Sequence, residues 1–452
     1  MTDTYYLDLE AAYSDATGDK NGDGSGDVYT GPAGLQAAMR GTSNATALAA
    51  GDALYIKGTG DLSRLVLIDC NGTDVSAWGI EDVVHNKDAG STWQGIVVEA
   101  NDMTGSLGAD DLVLVWLDDG YTEDDILVAE GVTNDDAGGG AGDPTSVDTL
   151  AARSTPGVYL ETDGSYSNPI EFVGVNSSWT EDGTEAVLDG NDKAVTGFAQ
   201  TGLRYALEFR NIHVTQTTDE AWASGQTLRY CSLVNCVASA GAAHGFGRPY
   251  SAGLIQYSSM INCRAYDHGS GHGFGNIYGS SMFGCVAYNN ASHGFAMKMT
   301  NGSNCVAFEN DRGYSFDNGC GLTNCVADNN TIGVYTNTGA MLVGCRITNN
   351  SSYGIDGDVR THDPYCFYSD NGTDFHYPAT VDDTIRGKST RVISGVIGYI
   401  DNADTTANED RNYGLTDLAA GRKQKIDITD SIPGYITAGL PARDYKPRNW
   451  RS

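Results

Sequence analysis

From about residue 235 to 377 the chain alternates apolar and polar positions in short runs, and one run keeps returning. It is seen in NCVASAGAAHGFG from Asn235, NCRAYDHGSGHGFG from Asn262, GCVAYNNASHGFA from Gly284, NCVAFENDRGYSF from Asn304, NCVADNNTIGVYT from Asn324 and GCRITNNSSYGID from Gly344. Within NCVADNN, Cys325 and Ala327 alternate with Val326 and Asp328, the period of a half-buried strand. An Asn pair follows, then a Gly with an apolar neighbour, then a second β-rich piece. No window carries a 3.6-residue period. The recurring cysteines, Cys236, Cys263, Cys285, Cys305, Cys325 and Cys345, are spaced 27, 22, 20, 20 and 20 residues apart, and Cys366 continues the series at 21. A fixed period of this size means stacked units. A unit of short strands and turns is one coil of a right-handed parallel β-helix, in which equivalent residues stack in columns about 4.8 Å apart.

Three columns can be assigned. The cysteines line the interior. Five residues beyond each stand Asn290, Asn310, Asn330, Asn350 and Asn371, expected to pass amide hydrogen bonds from coil to coil while adopting the left-handed backbone of a turn. After the Gly come Phe246, Phe274, Phe295, Tyr314, Val334 and Ile355, an apolar stack. Stacked cysteines are too far apart for an easy disulfide, which wants Cβ atoms about 3.8 Å apart. They are read as reduced thiols packed as small hydrophobes. The pairs Cys231/Cys236 and Cys320/Cys325 have no further ligand pair to make a zinc site. Leu322, Cys325, Ala327 and Asn330 also fit a leucine-rich repeat, but that fold wants Leu where Cys, Val, Ala and Ile stand here.

The Cys/Val alternation, the Asn column and the Gly-aromatic stack resemble the pectate-lyase-like parallel β-helix superfamily. The front of the chain is similar too. GPAGLQAAMRG (Gly31 to Gly41) reads as a capping helix, and AAGDALYIKGTG (Ala49 to Gly60) as a first strand. The expected fold class is therefore all-β, a right-handed parallel β-helix with an N-terminal capping helix and a C-terminal cap. Residues 1–60 form the N-terminal cap with an acidic loop, 61–160 early irregular coils with loop insertions, 161–377 the regular coils, and 378–452 the C-terminal cap with a basic tail. That tail carries Arg443, Lys446, Arg448 and Arg451, a candidate for docking on a neighbouring subunit.

Charge narrows the function. The 452 residues carry a formal net charge of −32, which disfavours nucleic acid and anionic membranes. No apolar run reaches membrane-spanning length, and the start MTDTYYLDLE shows no signal peptide.

Two groups of residues carry candidate chemistry. In DKNGDGSGDVYTG, Asp19, Asn21, Asp23, Ser25 and Asp27 alternate around Gly24, the spacing of an oxygen-ligand loop for structural Ca²⁺. Its twelfth position is Thr30 and not a bidentate Glu; an empty acidic turn is the alternative. The second group is a stack of His244, His272 and His293, with Asp267 and His268 on the turn beside it and Glu309, Asp311 and Arg312 one coil on. It reads either as a ligand-binding or acid/base site or as a structural column at an exposed coil edge. Gly271-His272-Gly273 echoes the G-H-G of polygalacturonase-type glycosidases, but the Asp382-Asp383 and Ile385-Arg386 elements follow it in the wrong order. Arg210, Arg229, Arg248 and Arg264 are scattered candidates for the base of a lyase.

Three functions compete. First comes a virion-surface or appendage protein, such as a phage tailspike, fibre or capsid decoration. Its expected partners are other virion or surface subunits and polysaccharide, with assembly as a homotrimer like many β-helix spikes. Second is a polysaccharide lyase or glycoside hydrolase. Third is a secreted glycan-binding adhesin.

Overall fold

A computed structural model describes residues 3–11, 29–40, 47–69, strand segments between 83 and 147, most of 157–376, and the strands at 388–393 and 396–401. The Ca²⁺ loop and the basic tail lie outside these residues.

The chain forms a parallel β-helix. One wall is a ten-stranded sheet running from Phe367–Ser369 back to Thr59–Asp61, a nineteen-stranded sheet forms most of the rest, and Val158–Leu160, Phe198–Gln200 and Trp222–Ser224 make a three-stranded parallel sheet. Each regular coil repeats three strands, as in Val286–Tyr288, His293–Lys298 and Asn301–Ser303. The first coil starts earlier than expected, because Thr4–Asp8 pairs in parallel with Ala53–Lys57. The helix Gly31–Arg40 buries Ala33, Leu35, Ala38 and Met39, as a cap should.

Residues 61–160 depart from the coil expectation. Ala53–Lys57 pairs directly with Ile170–Gly174, and Thr59–Asp61 and Val158–Leu160 pair in parallel with Ala186–Asp189 and Phe198–Gln200, so the segment between Thr59–Asp61 and Val158–Leu160 is an insertion within one coil. Its strands form a six-stranded antiparallel sheet, in the order Ser146–Val147, Val132–Asn134, Val83–Asn86, Gln94–Glu99, Leu112–Leu117 and Leu65–Asp69.

Inside the bore the expected columns are present. Phe246, Phe274, Phe295 and Tyr314 stack with centroids 4.9, 4.7 and 5.0 Å apart. Each buried ring of this kind contributes roughly 1.5–3 kcal/mol. Cys236, Cys263, Cys285, Cys305, Cys325, Cys345 and Cys366 are buried thiols, not joined in disulfides.

The corners follow one rule. A left-handed residue is followed by a buried residue whose side chain accepts the N–H of its counterpart in the preceding coil. At the first corner the left-handed residues are Asp267, Asn289, Glu309, Asn329, Asn349 and Asp370, with φ from 52 to 61°. All but Asp267, which precedes His268, stand directly before the ladder asparagines, which corrects the expectation that one Asn does both jobs. Asn290 donates its backbone N–H and its Nδ2–H to Asn310 Oδ1, at 3.1 and 2.8 Å. The pattern repeats through Asn330, Asn350 and Asn371. It also explains the Gly before each ring: a Cβ on Gly273, Gly294 or Gly313 would stand 2.9–3.0 Å from a ladder amide nitrogen.

At the second corner Cys231, Ser258 and Ser280 donate their N–H to Ser258, Ser280 and Thr300 hydroxyls at 3.0–3.2 Å. At the third, after Asn235, Asn262, Gly284, Asn304 and Asn324, stand the column cysteines. Cys305 N–H meets Cys325 Sγ at 3.4 Å, and thiols donate to carbonyls of the preceding coil, as from Cys263 to Leu233 at 3.3 Å. These thiols are hydrogen-bonding corner residues as well as packing.

Among the described residues no helix is long and apolar enough to cross a membrane.

Candidate functional site

The His/acid group expected from sequence divides into two. His272 and His293 sit at the start of the long strands, stacked 4.2 Å apart and 7° from parallel, with His244 at 5.1 Å from His272. They line an outward groove of about 360 Å³. Asp267, Glu309 and Asp311 instead line a separate, open groove of about 760 Å³ along the first corner. Arg312, the register partner of His293, lies between the two, its Nε 3.9 Å from Asp311 Oδ2 and its guanidinium 4.0 Å from the Tyr335 ring.

Two expectations need correction. The histidine column is not an exposed edge: His272 and His293 are 6% and 7% exposed. Nor does His268 lie beside them. It occupies the ladder position of its coil, 1% exposed, against the faces of Gly241 and Gly245. The Asn ladder therefore ends one rung lower, leaving Asn290 Oδ1 and both ring nitrogens of His268 without a hydrogen bond.

The stacked rings are neutral. His272 N–H donates to His244 Nδ1 at 3.0 Å and His293 N–H to His272 Nδ1 at 3.3 Å, so those nitrogens carry no proton. Burial is the main cause, helped by neighbouring positive charge, that pushes His272 down to about 3 and His293 to about 4. Burial likewise lowers His268 to about 4 and lowers His244. Such groups are poorly matched to proton transfer near neutral pH.

The rest of the groove comes mainly from four adjacent strands, Ile255–Gln256, Phe274–Tyr278, His293–Lys298 and Arg312–Asp317. Gln256, Tyr278, Lys298 and Asp317 are successive register partners down one column. Ala296 and Ser315 are partners in the next. Asn276 enters through a bulge: the register shifts between Phe274 and Ile277, and Asn276 takes φ 49°. Bulges of this kind re-aim a side chain at the cost of a ladder bond. Among the described lining residues Asp317 is the one carboxylate.

Beside the groove runs a line of tyrosines that sequence reasoning missed. Tyr166, Tyr230 and Tyr257 are 85%, 45% and 45% exposed. Their rings follow one another at 5.6 and 5.7 Å, and Tyr257 meets Tyr278 edge-on at 5.7 Å, inside the groove. Tyr230 and Tyr257 hold φ of 55 and 49° at the second corner, the left-handed position that Ala206, Gly279, Met299 and Gly319 fill in other coils. A bulky side chain in the left-handed region is an outlier, and such strain concentrates at functional positions. Gly279 also makes room, since a Cβ there would come 2.7 Å from the Tyr257 ring.

The candidate arginines do not converge. Arg210 pairs with Glu171, Glu181 and Glu208 at 2.8, 3.2 and 2.7 Å, and Arg248 with Glu220 at 3.1 Å. Arg264 pairs with Glu185, while Arg229 donates to Gln256 Oε1 at 2.8 Å. On the other sheet, His213 bridges Glu185 at 3.4 Å and Ser239 Oγ at 2.7 Å. Ser239 is 4% exposed, so this relay braces the wall. Among the described residues no group of three or more His, Cys, Asp or Glu is arranged to hold a metal ion.

No protein-family model matches the chain, and no curated protein sequence does. Solved structures similar to it include the pectate lyase Pel9A, at 14% identity and a TM-score of 0.42, covering 84% of this chain and 78% of that one. A rhamnogalacturonan lyase matches at 14% identity and a TM-score of 0.41, covering 78% and 75%. An Acinetobacter phage tailspike matches at 13% and 0.33, covering 56% and 58%. Likeness at this level is one of architecture and assigns no chemistry to the groove.

Proposed function

We propose that this chain is a rigid glycan-binding β-helix displayed on a virion surface or appendage. The sugar chain lies along the tyrosine line and enters the groove at Tyr278. One observation carries the reading: Tyr230 and Tyr257 are exposed and stacked on one another, in line with Tyr166 on one side and Tyr278 on the other. Aromatic faces suit the apolar faces of sugar rings, and the adjoining Gln256, Asn276, Lys298, Ser315 and Asp317 supply donors and acceptors for hydroxyls. A virion location accords with the acidic, rigid body. Self-association as a homotrimer is supported by Phe283 and Met341, 51% and 47% exposed on the short-strand wall. A structural Ca²⁺ at Asp19, Asn21, Asp23, Ser25 and Asp27 remains part of this proposal.

One carboxylate among the described lining residues favours binding over hydrolysis by paired carboxylates, which needs two. The test is a glycan panel read twice: for retention of the full chain, and for release of reducing ends or unsaturated uronides. Retention without release supports the proposal. Catalytic release would make the chain a polysaccharide lyase or hydrolase instead.

A further inference from the structure

We infer that copies of this chain pack on one another through the third corner of the β-helix. This rests on the self-association reading and names the surface. The observation is a strip without carboxylates. Each coil rounds that corner in six residues, as from Ser281 to Val286, leaving the short-strand wall and entering the ten-stranded one. The equivalent segments are Ser232 to Val237, Ser259 to Arg264, Asn301 to Val306, Gly321 to Val326 and Met341 to Arg346, held in register by parallel pairing. None of these segments contains Asp or Glu, in a chain that has 59. Their charged residues are two arginines, Arg264 and Arg346, toward the two ends, and Arg264 is paired with Glu185 outside the strip. Six rungs at the inter-strand spacing make the strip about 24 Å long.

The strip is also apolar on both sides of the corner. Phe283 and Met341 stand exposed on the short-strand side. Val286, Val306 and Val326 are half-buried register partners on the other. Between them the corner presents the neutral amides of Asn262, Asn304 and Asn324. Charge says which partner fits. Two bodies of net charge −32 repel. At physiological salt a charge is felt over roughly 8 Å, so the groups on the contacting faces decide whether copies can meet. Elsewhere those faces bring carboxylates together: Glu171 and Glu208 are register partners on the long-strand side, and Asp267, Glu309 and Asp311 line the first corner. At the third corner two copies bury apolar side chains with no like charge opposed. Because the strip bends over a corner, each copy offers two unlike faces to two neighbours, and such contacts close into a ring.

The test is sedimentation of the full chain over a range of concentration, at low and high salt. The unmodified chain is expected to assemble, and more tightly at high salt, which screens the repulsion between bodies. Phe283→Glu and Ser281→Glu place a carboxylate on the strip and are each expected to weaken assembly at least about tenfold. Ser281 is an exposed hydroxyl, so its variant keeps the test open if Phe283→Glu does not fold. Thr331→Glu, at the exposed and already acidic first corner, is the control and should leave assembly unchanged. Assembly that both strip variants leave intact would overturn the inference while self-association stands. Equal weakening by Thr331→Glu would also overturn it, since total charge and not the strip would then be at work. A chain that stays monomeric at every concentration and salt would overturn the self-association reading and the inference together, and leave the strip to a partner other than this chain.

Discussion

Tyr257→Gly separates a functional tyrosine from a structural one. Tyr257 sits at φ 49°, and its counterpart in the next coil is Gly279 at φ 59°. An L-residue in the left-handed region costs roughly 1–2 kcal/mol, which glycine does not incur. Against this stand the extra backbone entropy glycine loses on folding, about 0.5–1 kcal/mol, and the ring contacts. Tyr257 meets Tyr230 and Tyr278 at 5.7 Å each, and such pairs contribute about 0.5–1.5 kcal/mol when buried and less at 45% exposure. The terms nearly cancel, so stability should change by no more than about 1 kcal/mol. Binding should behave differently. Losing a tyrosine anchor typically costs about 2 kcal/mol, roughly a thirtyfold weaker Kd. Urea denaturation gives the first quantity and titration calorimetry with a retained glycan the second. Destabilisation beyond about 2 kcal/mol would show the ring to be part of the fold. Unchanged affinity would show that no ligand touches it.

Asn310→Ala should cost about 3–5 kcal/mol in urea denaturation. It removes an acceptor for two Asn290 donors and a donor to Ala287, Phe308 and Asn330, leaving buried groups unpaired. His268→Asn should stabilise by about 1 kcal/mol, because the new amide can reach Asn290 Oδ1, which has no partner now. Acid should weaken the fold in a defined window. The folded-state values of His268, His272 and His293, near 4, 3 and 4, lie below the ordinary 6.5, so the unfolded chain binds more protons below that pH. Their contribution is whole above about pH 6.5 and declines toward pH 4, by up to about 1.4 kcal/mol per pH unit per histidine. Urea midpoints across that range, with His268→Asn flattening the slope, check it. The buried thiols should resist alkylation until the chain unfolds. Hydrogen bonding from neighbouring Cys285 and burial push Cys305 up to about 12, and burial pushes Cys231 to about 12; mass spectrometry of iodoacetamide-treated native protein reads this directly.

The coils were legible in the sequence because stacking forces equivalent residues into equivalent surroundings. Cys325, Asn330 and Val334 each inherit the environment of the residue twenty positions earlier, so the period reports the architecture. The antiparallel insertion left no such trace, since its strands pair with one another and repeat nothing. The histidines were read as a stack correctly, but adjacency in sequence misplaced His268. Position along the coil decides direction, and His268 falls five residues after Cys263, the place of the ladder asparagines. The bulge at Asn276 did leave a signal: one extra residue separates Phe274 from its corner glycine, compared with Phe295 and Met299. The tyrosine corner was hidden for a physical reason. Left-handed positions are sought at Gly and Asn, and Tyr230 and Tyr257 take that conformation against preference. Only their place above Gly279 and beside Tyr278 reveals what they share.

A crystal structure of the full chain soaked with a retained oligosaccharide would test the central claim most directly. The account predicts sugar rings lying over Tyr230 and Tyr257, with one end against Tyr278, Asn276 and Lys298. Sugar bound instead along the acidic corner of Asp267, Glu309 and Asp311, with the tyrosines bare, would contradict it.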